Sequence, residues 1–296
     1  MRPVKSGILL IDKPTGMTSA RVVAAVKRLT NSNKTGHTGT LDPLATGLLI
    51  CCLNQSTKLA RFLLEGEKTY EAVLRLGIRT DSQDAAGRIL SRQDTSNITH
   101  TEVNKTMRGF TGPIRQQPPA YSAVKYLGKP LYHWARKGKP VAKPSRTVVI
   151  SSLVIHKIAL PEVRFSVTCS AGTYIRTLCA DVGDSLGCGG HLMSLRRTAS
   201  CGFLVAQALE LEQLEAMADT GAWKARLIPP IDALPGMPAH QADNALRDKI
   251  KFGRPIGLSD GIKIRTGKMK IIDADRNLLA VIDRKYRYCC VFPEGI

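Results

Sequence analysis

The run Gly36-His37-Thr38-Gly39-Thr40-Leu41-Asp42-Pro43-Leu44-Ala45-Thr46-Gly47 constrains this chain more than any other stretch. It holds three glycines and one carboxylate. Its pattern fits neither an amphipathic helix nor an alternating strand. It leads into Leu48-Leu49-Ile50-Cys51-Cys52-Leu53, which reads as a buried strand. One aspartate therefore sits on a tight loop braced against a rigid element, a useful place for a reactive group. An aspartate before proline is also an ordinary turn former. The local pattern leaves both readings of Asp42 open.

The chain carries 43 Lys or Arg against 24 Asp or Glu, a formal net charge of +19. That excess favours a polyanionic partner, nucleic acid first and an anionic membrane surface second. From Val103 to Pro161 there is no acid, while eleven Lys or Arg occur between Lys105 and Lys157. Inside this stretch, Tyr121, Tyr126, Tyr132 and Trp134 alternate with Lys125, Lys129, Arg136 and Lys137. Cations neutralise phosphates and aromatic faces stack on unpaired bases, so this segment is expected to contact RNA. A solvated basic loop is the simpler alternative. No apolar run is long enough to span a membrane, and residues 1–6 do not read as a signal peptide, so a cytoplasmic protein is expected. The eight cysteines form no Cys-x-x-Cys pair, which argues against a zinc cluster and for small buried hydrophobes.

Along the chain, residues 7–11 read as a strand, and Thr18 or Ser19 as the cap of a helix with Val22, Val23, Val26 and Leu29 on one face. Ser56 is expected to cap a short helix over 58–64. Tyr70, Ala72, Leu74 and Leu76 alternate with polar residues as in a half-buried strand, as do Val163, Phe165, Val167 and Cys169. Thr99 and Glu102 form a capping-box pattern. A helix after Thr173 places Ile175, Leu178, Val182 and Leu186 inward, with Arg176 off that face. Another helix is expected over 209–218 and a Pro-rich linker over 227–238. Short β runs follow at 262–264, 269–272, 278–282 and 288–292. Strands and helices alternate irregularly, without a repeating βαβ unit, as in an α+β fold.

Several ordered segments resemble one family. They are Ile11-Asp12-Lys13-Pro14 with Gly16-Met17-Thr18-Ser19, the whole loop 36–49, Lys68-Thr69-Tyr70, Thr80-Asp81-Ser82-Gln83-Asp84, Gln117-Pro118-Pro119-Ala120-Tyr121-Ser122-Ala123-Val124-Lys125, Ser170–Leu178 and Leu195-Arg196-Arg197-Thr198. The chain resembles the TruB-type bacterial tRNA pseudouridine synthases over about residues 7–204; its end matches their PUA-like module loosely. The resemblance implies a pseudouridine-synthase fold, an α/β (α+β) domain with a mixed, largely antiparallel sheet and flanking helices. It implies a catalytic domain over 1–235, with an RNA-gripping basic insertion at about 113–146, and a small β-rich PUA-like RNA-binding module over 236–296.

The implied activity is isomerisation of the T-loop uridine at tRNA position 55, without cofactor or metal, on a flipped-out base. Asp42 falls on the family's nucleophile or base, Tyr70 on the aromatic stacked against the flipped base, and Arg176 on the partner of the catalytic aspartate. Lys13 supports the floor of the site, His37 fills the stack vacated by flipped nucleotides, and Asp84 lies near the substrate. Tyr174 and Leu195 form pocket walls, and Lys125 belongs to the RNA-gripping insertion. Read without the resemblance, these are a strand tyrosine, a helix arginine, a loop histidine, surface lysines, a turn carboxylate and core residues. The implied partner is the tRNA T-arm stem-loop, with no membrane and no protein partner. Two other readings remain at this level: an RNA-binding or tRNA-folding factor in which catalysis is secondary, and a synthase acting on ribosomal or guide-paired RNA. A start close to the catalytic motifs, with no long basic extension, disfavours the last.

Overall fold

The computed structural model describes residues 5–265, 267–293 and 295–296. Most of the segment 1–6 discussed above lies outside them. The described residues form two compact units. One comprises those of Met1–Asp42, Leu48–Leu64 and Gln207–Ile296, the other Pro43–Gly47 and Glu65–Ala206.

The first unit opens with β1 (Gly7–Lys13) and α1 (Ser19–Thr30). Thr18 caps α1 by accepting from the Arg21 amide, 3.2 Å away. Val22 and Val26 are fully buried and Val23 and Leu29 pack beside them. The helix ends at Asn31 in the left-handed conformation, φ 51°, which asparagine tolerates at a C-terminal cap. β2 (Thr35–His37) pairs antiparallel with β3 (Thr46–Leu53), and β3 lies beside β1. A 3-10 turn, Asn54–Leu59, then leads into α2 (Ala60–Leu64). Ser56 is not its cap: it sits inside the 3-10 turn, and its buried hydroxyl has no hydrogen-bond partner among the described residues.

The second unit is built on β4 (Lys68–Leu76), followed by the hairpin β5 (Ile78–Thr80) and β6 (Ile89–Arg92). The capping box at Thr99 and Glu102 starts α3 (His100–Arg108). β7 (Gly112–Gln116) enters the basic segment, which is more ordered than a loop: β8 (Lys125–Tyr126), β9 (Lys129–Pro130) and α4 (Leu131–Arg136). Next come β10 (Arg146–Ala159), β11 (Glu162–Cys169), α5 (Ile175–Ser185), β12 (Gly190–Ser200) and β13 (Phe203–Leu204). The strands run β12-β4-β11-β10-β7, each pair antiparallel, while Thr46 and Gly47 of β3 pair parallel to Arg196 and Arg197 of β12. The sheet is thus mixed and largely antiparallel. Gly47 has φ +100°, and a Cβ there would fall on the Arg197 backbone, so only glycine permits the approach.

The chain returns to the first unit at β14 (Leu209–Glu210), parallel to β1 with Ile11 opposite Leu209. The expected helix over 209–218 is therefore shorter, α6 (Leu211–Ala216), because a parallel partner captures its first residues. Leu9, Ile11, Val22, Val26, Leu49, Leu214 and Trp223 make the core here.

The stretch 227–238 is not a loose linker. Ile228 exchanges both backbone hydrogen bonds with Ile8, at 2.9 Å each, and Ile231, Ala233 and Leu234 are buried. Composition marks such a segment as a spacer because its partners are distant in sequence. The last part holds β15 (Ala239–Gln241), α7 (Asn244–Lys251), β16 (Lys268–Ile272), β17 (Leu278–Asp283) and β18 (Tyr288–Val291), a four-stranded sheet with its own core. Residues 262–264 are not a strand; Ile262 fills that core from a loop. Lys58 and Arg61 donate to the Val291 and Cys289 carbonyls, tying this sheet to the segment before β4.

Cys51, Cys52, Cys169, Cys179 and Cys188 are buried, and Cys201, Cys289 and Cys290 partly so. Burial pushes the Cys52 thiol up to about 12 and that of Cys169 to about 11, so both stay protonated and apolar near neutral pH.

Candidate active site

The expected site residues divide between the units. Lys13, His37 and Asp42 belong to the first; Tyr70, Asp84, Lys125, Tyr174, Arg176 and Leu195 to the second.

In the first unit, Asp42 is half-buried on the irregular segment between β2 and β3. No strand ladder holds the residues around Asp42, but side-chain and backbone hydrogen bonds do. The Thr38 amide donates to the Ile50 carbonyl at 3.2 Å, and the Gly39 amide donates to His37 Nδ1 at 3.2 Å. Leu41, immediately before Asp42, is held at both backbone groups by one hydroxyl. Its amide donates to Ser19 Oγ at 2.8 Å, and Ser19 Oγ donates to its carbonyl at 3.0 Å. Lys13 is 0% exposed. Its ammonium donates to the Met17 and Pro14 carbonyls at 2.6 and 2.9 Å, pinning the turn that leads into α1. Lys13 is therefore not the ordinary surface lysine that its sequence context also allows.

In the second unit, Tyr70 lies on β4 opposite Val167 of β11 and Arg197 of β12. Leu195 pairs with Ala72, so Tyr70, Ala72, Leu195 and Arg197 share one buried face of the sheet. Arg176, off the apolar stripe of α5, is nonetheless 4% exposed. Its guanidinium donates to the Ser82 and Tyr121 carbonyls at 2.9 Å each, and its Nε lies 3.7 Å from an oxygen of Asp84. Asp84, itself 6% exposed, accepts from the Ser82 hydroxyl at 2.5 Å and from the Ala86 amide at 3.1 Å. A buried cation thus meets a carboxylate and two carbonyls, the satisfaction that a buried charge requires. The turn carrying Asp84 is docked on β12 through Ala85 and Leu192, and on α5 by a hydrogen bond from Thr177 to Gln83. The helix-surface reading of Arg176 is therefore wrong; its partners lie in segments more than fifty residues away in sequence.

Tyr174 is half-buried. Gln116 at the end of β7 accepts from its amide at 3.0 Å and donates to its carbonyl at 3.2 Å. The Arg146 guanidinium lies over its ring, 5.2 Å from the centroid. Lys125 is exposed on the β8–β9 hairpin. Lys143 lies over the Tyr126 ring at 5.0 Å and Arg136 over Tyr132 at 5.4 Å, so cations and aromatics alternate on this arm as the composition suggests. Ser19 and Gln116 carry no signal of a site role in the sequence. Both are short polar side chains, and nothing local says that their partners lie 22 and 58 residues on.

No helix among the described residues is long and apolar enough to cross a membrane. Residues 27–175 match the TruB family pseudouridylate synthase N-terminal domain, and residues 176–234 match the tRNA pseudouridylate synthase B C-terminal domain. The chain is 44% identical over 285 residues to a tRNA pseudouridine synthase B of Burkholderia mallei, covering 95% of this chain and 93% of that one. It is 46% identical over 247 residues to a protein of the same name from Syntrophus aciditrophicus, covering 83% and 79%. Among solved structures, a chain of a Cbf5-Nop10-Gar1 complex superposes with TM-score 0.73 at 26% identity, covering 94% of this chain and 78% of that one. A chain of an H/ACA RNP bound to a substrate RNA containing 2'-deoxyuridine gives 0.71 at 25% identity, covering 94% and 77%. By sequence match over most of its length, and with the fold to agree, this chain belongs to the TruB family of pseudouridylate synthases.

Proposed function

We propose that this chain isomerises the T-loop uridine at tRNA position 55 to pseudouridine, with Asp42 as the reacting group. Substrate and product contain the same atoms, so the reaction breaks one carbon–nitrogen bond and forms one carbon–carbon bond, with no net donor or oxidant. The Asp42 carboxylate detaches uracil at its N-glycosidic bond, by attack on the nucleoside or by taking the ribose 2′ proton. The base turns and rejoins the ribose C1′ through its C5 carbon; C5 then loses its proton and the freed N1 takes one up, so the atoms balance. Tyr70 stacks on the flipped base, and Arg176, held by Asp84 and by the Ser82 and Tyr121 carbonyls, supplies a fixed positive charge on the Tyr70 side of the reaction. The basic arm around Lys125 grips the T-arm backbone, while the glycosidic bond becomes reachable only once the nucleotide leaves its stack. Residues 1–235 supply the chemistry and 236–296 an additional RNA-holding surface. A cytoplasmic location fits both roles.

The single observation that carries this reading is the Asp42 loop. It is an irregular segment that the fold nevertheless fastens at Thr38, Gly39 and Leu41, as a placed carboxylate requires. The test is to incubate the purified chain, without added cofactor, with an isolated T-arm stem-loop and to map pseudouridine by position. Product at the position equivalent to 55, and nowhere else in the stem-loop, is expected. No product on either the stem-loop or whole tRNA would leave RNA binding or folding as the function.

A further inference from the structure

We infer that Ser19 is a positioning residue for Asp42, acting through the backbone of Leu41; this rests on Asp42 being the reacting group. Ser19 is the first residue of α1 and is 2% exposed. Its backbone is fixed by the helix, whose first turn is closed by the Val22 amide donating to the Thr18 carbonyl at 3.2 Å. The segment before it is fixed by the fully buried Lys13 ammonium on the Pro14 and Met17 carbonyls. The Ser19 hydroxyl is therefore a rigidly mounted group.

A hydroxyl has one proton to give and lone pairs to accept, and Ser19 uses both kinds on one residue. It accepts from the Leu41 amide at 2.8 Å and donates to the Leu41 carbonyl at 3.0 Å. These two groups belong to different peptide planes. The amide lies in the plane joining Thr40 to Leu41, and the carbonyl in the plane joining Leu41 to Asp42. Peptide planarity makes the second plane carry the Asp42 nitrogen and Cα with it. One hydroxyl thus sets where the Asp42 side chain begins. Leu41 is 3% exposed, so water does not replace the clasp when the hydroxyl is removed, and the loop must shift to satisfy both groups. A displacement of about 1 Å at a reacting group costs on the order of a hundredfold in rate.

The experiment compares the full-length chain with Ser19→Ala, Ser19→Cys and Asp42→Asn, reading three quantities at 25 °C. These are the single-turnover rate constant on tRNA at saturating enzyme, the tRNA Kd, and Tm. Ser19→Ala is expected to slow the single turnover by about 10–100-fold with Kd within about twofold. Ser19→Cys, whose thiol is a weak donor and acceptor, should fall between alanine and serine. A merely structural serine would lower Tm and leave the single-turnover rate of the folded enzyme unchanged. A wild-type rate in Ser19→Ala overturns the inference. Should that variant fail to fold, a wild-type rate in Ser19→Cys overturns it equally. Inactive Asp42→Asn beside fully active Ser19→Ala defeats only the role of Ser19. Near-wild-type turnover by Asp42→Asn defeats that role and the proposed reaction together.

Discussion

The two sets of site residues are held in different ways. Tyr70 and Leu195 sit on strands whose ladders fix them many times over, and Arg176 is clasped by two carbonyls and a carboxylate. Asp42 lies outside any ladder; Leu41 before it is held by two hydrogen bonds to Ser19, and Thr38 and Gly39 are bonded to Ile50 and His37. The sheet-borne set should therefore lose stability when disturbed, and the loop-borne set should lose rate. On the proposed reading, the groups that receive the base rest on strand ladders, and the group that reacts sits on a loop.

The sharpest challenge to that contrast is Arg176→Leu. It leaves Asp84 buried against Ser82 without its cation, and a loss of about 3–5 kcal/mol in denaturant unfolding is expected. Pairing it with Asp84→Leu should restore part of the loss. A double variant no better than the single would show that Asp84 is not the charge left stranded. Gly47→Ala comes next, since its φ of +100° and the Arg197 backbone both exclude a side chain. About 3 kcal/mol of destabilisation follows from strain and overlap, visible as a lower urea midpoint. Gln116→Leu unpairs both backbone groups of Tyr174 and should cost about 1–3 kcal/mol, with a smaller change in rate than Ser19→Ala. A larger rate loss from Gln116→Leu than from Ser19→Ala would reverse the contrast.

The smallest effect concerns α5, the helix that carries Arg176. Burial, with Asp184 nearby, raises the Asp181 carboxyl from 3.8 to about 6. The folded state thus holds this proton more tightly than the unfolded chain. Stability from this group is full below about pH 4, is lost as pH rises through about 6, and stays lost above. Asp181→Asn should accordingly raise Tm modestly at pH 7.5, and the gain should vanish by pH 4. An equal gain at both values would mean that charge is not the cause.

What could be read from the sequence follows the same division. The faces of Val22 and Val26, the alternation from Tyr70 to Leu76, and the box at Thr99 and Glu102 are local patterns, and the structure has them. Asp42 stood out because its surroundings fit no regular element, and the ordered motifs around it pointed to the family. What sequence could not supply was contact at a distance. Arg176 looked like a helix-surface residue until Ser82 and Tyr121 were seen to receive it. Residues 227–238 looked like a linker until Ile8 met Ile228. Ile262 falls in a short run that reads as β but serves a core from a loop. Ser19 read as a possible cap, and its hydroxyl is instead committed to Leu41.

The central claim is that Asp42 performs the chemistry and that the rest of the chain brings RNA to it. The most direct measurement is single-turnover pseudouridine formation by Asp42→Asn on whole tRNA, with the Kd for the same tRNA measured alongside. The substitution keeps the side chain's size and removes its charge and basicity. A fall of about a thousandfold or more in rate, with Kd within about twofold of the parent, is predicted. Pseudouridine formed at a rate near that of the parent would contradict the account.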